Sequence, residues 1–185
     1  MTRILIPLLI ISLSGCTPEA KSTAPDLSAD VVVYGDAAVG VAAAVQAARM
    51  GQSVILVSQY GHLGGMTSSG LGWTDIGNKK ILGGIAREFY HRVYLHYQDD
   101  DAWVHQTREA FPTGGQGAKT FDEATELASV FEPKVAEMIF DQLVEEAGVQ
   151  VVDGRLDLEE GATMENQRIA EIHLEDGRRI AGKMF

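Results

Sequence analysis

The 185-residue chain reads as an α/β domain, a parallel sheet opened by a strand–turn–helix–strand unit and closed by a β-meander. Three observations predict this class. Asp30 to Tyr34 is a β-branched run ending at a glycine, as expected of a strand buried on both faces. The small-residue segment after it places Val41, Ala44, Val45 and Ala48 on one helical face, and Val54 to Val57 supplies a second apolar strand. The last thirty or so residues alternate instead as short strands (Arg155 to Glu159, Arg168 to Leu174, Arg178 to Met184), with Asp176-Gly177 as a hairpin turn.

In the opening unit, Gly35 turns the chain close to any ligand, and Gly51 stops the helix after Met50. A helix N-terminus aimed at the end of a parallel sheet is an anion site, because unpaired N–H groups and the helix dipole both favour a pyrophosphate. The complete G-x-G-x-x-G pattern would put glycines at 35, 37 and 40. Here Gly35 and Gly40 are present, position 37 is Ala37, and Asp36 brings a carboxylate to where a phosphate should come close. By itself the motif is degenerate, and an α/β domain whose first turn binds nothing stays open.

The stretch Ser58-Gln59-Tyr60-Gly61-His62-Leu63-Gly64-Gly65-Met66-Thr67-Ser68-Ser69-Gly70-Leu71-Gly72-Trp73-Thr74-Asp75 is too rich in Gly, Ser and Thr to build a core. Its physical use is backbone that approaches a ligand with no side chain in the way. With these residues the chain resembles the FAD-dependent oxidoreductases of the glutathione-reductase-like superfamily, and within them a secreted bacterial lipoprotein branch. Phe131-Glu132-Pro133-Lys134-Val135-Ala136-Glu137 and Gly148-Val149-Gln150-Val151-Val152 extend the resemblance, which covers nearly everything from Asp30 onward.

The resemblance implies a Rossmann-like FAD/NAD(P)-binding domain over 30–185 whose cofactor is FAD. It implies cofactor contacts from Gly35, Ala37, Ala38, Val39 and Gly40 in the first bend and from Gly64, Gly65, Met66 and Thr67 in the second. It also implies a contact to the adenine from backbone near Leu156. Such proteins carry Glu or Asp at the end of the second strand to accept hydrogen bonds from the adenosine ribose. Here that position is Ser58, which can meet a hydroxyl only without charge assistance. In the resembled family the chain continues into a further strand, a substrate-binding part and a late return to the flavin. The sequence to Phe185 therefore reads as the N-terminal part of a longer enzyme, inactive alone.

Residues 1–15 read as a signal: Arg3, then an apolar run from Ile4 to Leu13 too short to span a membrane. Leu13-Ser14-Gly15-Cys16 resembles a bacterial lipoprotein signal, in which Cys16 is lipidated and becomes the first mature residue, and Thr17 favours the outer membrane, facing the periplasm. Residues 16–29 read as a flexible tether. Cys16 is the only cysteine, which excludes an internal disulfide.

Hydrophobic content of 45% supplies a core, and a net charge of −11 without a Lys/Arg cluster excludes nucleic acid as a partner. The partners expected are a small-molecule substrate and, through the anchor, a membrane. The aromatic residues of a helix over Gly84 to Tyr97 (Phe89, Tyr90, Tyr94, Tyr97) read as core, and Asp99 to Thr125 as an irregular loop. Pro133 opens a helix that runs to Ala147 and stops at Gly148. No metal-ligand spacing appears, and no catalytic residue is assignable; His62, in the flavin-facing segment, is a loop histidine whose simplest role is a hydrogen bond. Three functions fit: an FAD-dependent oxidoreductase, an NAD(P)-dependent dehydrogenase, and a non-catalytic envelope lipoprotein with a degenerate nucleotide site.

Overall fold

A computed structural model of the chain describes residues 25–115 and 118–185. Six strands form one sheet: β1 (Leu27–Tyr34), β2 (Val54–Ser58), β3 (Gln150–Asp153), β4 (Ala162–Glu165), β5 (Arg168–His173) and β6 (Arg179–Met184), in spatial order β3-β2-β1-β6-β5-β4. Strands β3, β2, β1 and β6 run parallel, and β4–β5–β6 is an antiparallel meander on one flank. The expected α/β class, with its mainly parallel sheet and meander, is what the chain adopts.

Three helices pack on one face: α1 (Ala38–Arg49), α2 (Gly84–His96) and α3 (Pro133–Ala147). Val41, Ala44 and Val45 of α1 are fully buried, and they meet Leu56 of β2, Phe89 and Val93 of α2, and Ile139, Phe140 and Leu143 of α3. Small side chains on α1 are what let it lie against the sheet and α3 together. On the opposite face of the sheet, Val32, Ile55, Val57 and Val152 form a second cluster with Ile172 of β5, Ile180 of β6 and Leu174 just past β5. Helix α3 begins with Pro133 in its first turn and ends at Gly148 in the left-handed region (φ 69°), as its sequence signals require.

An ion network ties the helices to one another. Arg49 at the end of α1 makes a two-pronged bond to Glu88 of α2, at 2.6 and 3.0 Å. Arg92, one turn further along α2, bridges Glu88 and Glu146 of α3. The segment from 97 to 131 is pinned from within by an aromatic cluster of Tyr97, Trp103, Phe111 and Phe121. The buried Lys79 ammonium holds the same segment by donating to the carbonyls of Lys119, Thr120 and Leu127. Two short ribbons, Gly114–Gly115 with Ala118–Lys119 and Phe121–Asp122 with Leu127–Ala128, supply its internal strand pairing, and an antiparallel bridge from Val130 to Trp73 ties it to the glycine-rich run.

Two boundaries differ from the sequence reading. Strand β1 starts at Leu27, inside the expected tether, because Leu27 to Ala29 pair in register with Ile180 to Gly182. The meander's first strand is Ala162–Glu165 and not Arg155 to Glu159, where a single bridge joins Leu156 to Leu174. All four residues of β4 are exposed, so its short Ala-Thr-Met-Glu alternation points to no core, and its hairpin turns on Asn166 and Gln167, both at positive φ, without a glycine.

Candidate functional site

The site lies where β1, β2 and β3 end and α1 begins. Gly35 continues the ladder by donating to the Val57 carbonyl and then turns with φ 130°, and a Cβ placed on it would meet nothing within 4 Å. The bend is therefore open on its outer side. Gly40 serves the opposite purpose: a Cβ there would lie 2.1 Å from the Gly35 carbonyl oxygen, so only glycine lets the helix start this close to the strand. The helix begins at Ala37, which offers no side-chain cap, and no acidic residue occupies the first turn. The first helical bond is Val41 N–H to the Ala37 carbonyl, at 3.0 Å. The amides of Ala38, Val39 and Gly40 are thus left without intrahelical partners, pointing out of the positive end of the helix dipole.

The second bend docks directly on the first. Gly64 N–H donates to the Asp36 carbonyl at 2.7 Å, and Ala37 and Gly64 form a parallel bridge. Behind the bend, a Cβ on Gly64 would lie 2.5 Å from the Phe140 ring and 2.6 Å from the Ser68 hydroxyl. One on Gly65 would lie 3.2 Å from the Ala37 Cβ. Both glycines are thus used in internal packing, and the missing side chain at 65 makes room for the methyl that Ala37 carries in place of the pattern's second glycine. Gly65 to Thr67 form a single 3-10 turn, from which Met66 projects 75% exposed; Val39, on the first turn of α1, is 78% exposed.

Asp36 neither points away into solvent nor faces the helix N-terminus. It is 7% exposed, and its Oδ2 accepts three hydrogen bonds: the Ser58 hydroxyl at 2.8 Å, Gln59 N–H at 3.0 Å and Tyr60 N–H at 3.2 Å. Ser58 is fully buried, and its Oγ also accepts Gly61 N–H at 2.9 Å. The carboxylate is therefore folded over the end of β2. Sequence reasoning did not place Asp36 in the site; the signal available was that a carboxylate gained at position 36 accompanies one lacking at position 58.

His62 lies between the second bend and α3. Its Nδ1 is 2.5 Å from Glu137 Oε1, and its Nε2 is 3.1 Å from both the Ser68 and Ser69 hydroxyls. The hydrogen-bonded role expected of it is the one it has. Leu156 sits beside the meander with its N–H donated to the Tyr34 hydroxyl at 2.9 Å, so that amide is already committed within the protein. Among the described residues no group of His, Cys, Asp or Glu could hold a metal ion, and no helix is long and apolar enough to cross a membrane. Cys16 and most of the expected tether fall outside the described residues.

Uncapped amides at a sheet's carboxyl end, a glycine-tight βαβ turn and a second glycine bend docked on it define a dinucleotide-binding fold of the flavoprotein kind. Over residues 30–185 the sequence matches the family described as FAD dependent oxidoreductase, and the chain belongs to that family. Its cofactor is FAD, and the open outer side of Gly35 and the free first-turn amides fit the cofactor's pyrophosphate. No curated protein matches the sequence. Among solved structures, the 3-ketosteroid-delta4-(5alpha)-dehydrogenase from Rhodococcus jostii RHA1 shares the fold with TM-score 0.52 and 18% identity, over 88% of this chain and 46% of that one. The L-amino acid deaminase from Proteus vulgaris does so with TM-score 0.51 and 20% identity, over 91% and 49%. The chain spans about half the length of these structures.

Proposed function

We propose that the chain is the flavin-binding portion of a lipid-anchored oxidoreductase that draws electrons from a small-molecule substrate outside the cytoplasm. One observation carries the reading: two glycine bends joined through the Asp36 carbonyl, the first of them ending in three free helix amides on an open face. When bound, FAD supplies the hydride or electron transfer, and this chain supplies binding and orientation. The amides of Ala38, Val39 and Gly40 would hold the pyrophosphate, and the exposed Val39 and Met66 side chains would lie alongside the cofactor. Lipidation at Cys16 would tether the domain to the envelope, on the side of the outer membrane that faces the periplasm. The glutathione-reductase-like affinity and the lipoprotein branch belong to the same proposal, supported by the glycine-rich run after β2 and by Leu13-Ser14-Gly15-Cys16.

The gene product purified from membranes should be yellow, show a flavin absorbance spectrum and release FAD on denaturation. A colourless product that takes up no added FAD would leave the non-catalytic envelope lipoprotein as the better reading. Radiolabelled palmitate should enter the wild-type chain and not Cys16→Ala; equal labelling of both would remove the anchor from the proposal.

A further inference from the structure

Resting on the flavin-binding reading, we infer that Asp36 accepts the hydrogen bond from the adenosine ribose hydroxyls of FAD, with Ser58 as the residue that positions it. The two residues have exchanged duties. In an ordinary dinucleotide site a carboxylate at the end of the second strand takes the ribose hydroxyls. Here the strand ends in Ser58, whose hydroxyl donates to Asp36 and accepts from Gly61 while fully buried, so it has no hydrogen left for a ligand. The carboxylate comes instead from the first bend and is delivered to the same end of β2.

The two oxygens of Asp36 are used unequally. Oδ2 takes all three protein donors, one hydroxyl and two amides. Oδ1 makes no hydrogen bond among the described residues, yet it is not a buried orphan: the only fully enclosed side-chain polar atom without a partner among them is Thr125 Oγ1. The free oxygen of a nearly buried carboxylate thus reaches the surface at the carboxyl ends of the parallel strands, where a nucleotide is held in sheets of this kind. Three donors on Oδ2 also spread the negative charge and fix the rotamer, which lets a carboxylate sit two residues before the first of the pyrophosphate amides. A fixed, charged acceptor makes a stronger bond to a hydroxyl than the serine could.

The experiment is a flavin-fluorescence titration of the deflavinated full chain with two probes, FAD and an FAD analogue lacking both hydroxyls on its adenosine ribose. The wild type should bind the analogue about tenfold more weakly than FAD, or weaker still. Asp36→Asn keeps an oxygen for Ser58, Gln59 and Tyr60. It should weaken FAD about tenfold while leaving the analogue's affinity unchanged. The double change Asp36→Gly with Ser58→Glu, which returns the carboxylate to the strand, should bind FAD more tightly than Asp36→Gly alone. Equal affinity of the wild type for the two probes overturns the inference without needing any variant to fold. So does a loss in Asp36→Asn that is the same for both probes. A wild type that binds neither probe overturns the flavin reading as well, which separates the two failures.

Discussion

The two glycine bends look alike in sequence and are built for different ends. At the first, Gly35 has empty space where a side chain would go, and Gly40 is fixed by a backbone oxygen only 2.1 Å from its missing Cβ. At the second, the space beside Gly64 is filled by Phe140, itself stacked on Phe89 with ring centroids 4.6 Å apart, and the space beside Gly65 by Ala37. The first bend leaves room for a ligand, while the second uses its glycines to seat the loop between α1 and α3. A glycine-rich run therefore does not by itself mark a ligand surface, because the same residue type also permits close packing.

The largest effect should come from Gly40→Ala. Its new methyl meets backbone, which cannot rotate aside, so α1 must move off the strand and carry the pyrophosphate amides with it. A loss of about 3 kcal/mol in unfolding free energy is expected by denaturant titration, together with loss of FAD uptake. Retention of both would mean that the helix start is looser than its geometry indicates.

Gly64→Ala should come next, at about 2 kcal/mol, since its methyl meets the Phe140 ring and the Ser68 hydroxyl in a packed interior. Its effect should appear in stability, with FAD affinity falling less than the stability loss implies. A variant that melts normally but binds FAD a hundredfold more weakly would reverse the comparison and make Gly64 itself, and not only the exposed Met66 beside it, a cofactor contact.

Much of this was legible in the sequence, and the limits have physical causes. The β1–α1–β2 unit was readable because burial on both faces leaves an unbroken apolar strand beside a small-residue helix, and α3 because Pro133 and Gly148 mark both its ends. Strand β4 was not, since four exposed residues are too short and too little buried to stand out, and its turn carries no glycine. In the sequence Asp36 reads only as a departure from a pattern, a carboxylate near phosphates. Its role depends on the backbone turn of Gln59 and Tyr60, which local spacing does not encode. The contact expected of Leu156 failed to foresee the Tyr34 hydroxyl, 122 residues away in the chain.

A smaller change tests what keeps the two bends in register. Arg49 is the last residue of α1 and Arg92 reaches α3, with Glu88 bonded to both, so the clamp links the helix of the first bend to the one that backs the second. The hydrogen bond from Arg49, reinforced by Arg92, holds the Glu88 carboxyl down to about 2, against an ordinary 4.5. A depressed carboxyl contributes stability above its unfolded value and loses that contribution as pH falls through its folded value. The wild type should therefore lose this contribution between pH 4.5 and about 2. Glu88→Gln should cost about 1 kcal/mol at neutral pH and show a correspondingly shallower acid limb in thermal melts. Identical acid limbs would show that the clamp does not bear on the helices' positions.

The finest test concerns the seam between the bends, Ala37 against Gly65. Because a Cβ on Gly65 would approach the Ala37 Cα to 3.1 Å and its Cβ to 3.2 Å, the two positions share one methyl's worth of space. Ala37→Gly alone should leave stability within about 0.5 kcal/mol and FAD affinity within about twofold, since the methyl it removes faces the second bend and not the open side of the first. Gly65→Ala alone should cost about 1 kcal/mol, through the tight contact and its left-handed φ of 56°. In the double variant that cost should fall by about 0.5 kcal/mol, a coupling measurable by a thermodynamic cycle in denaturant. The φ strain survives the exchange, so the relief is partial. Strict additivity, or a large gain in FAD affinity from Ala37→Gly, would mean that the alanine methyl intrudes on the cofactor's side and that the first bend is less open than the second is full.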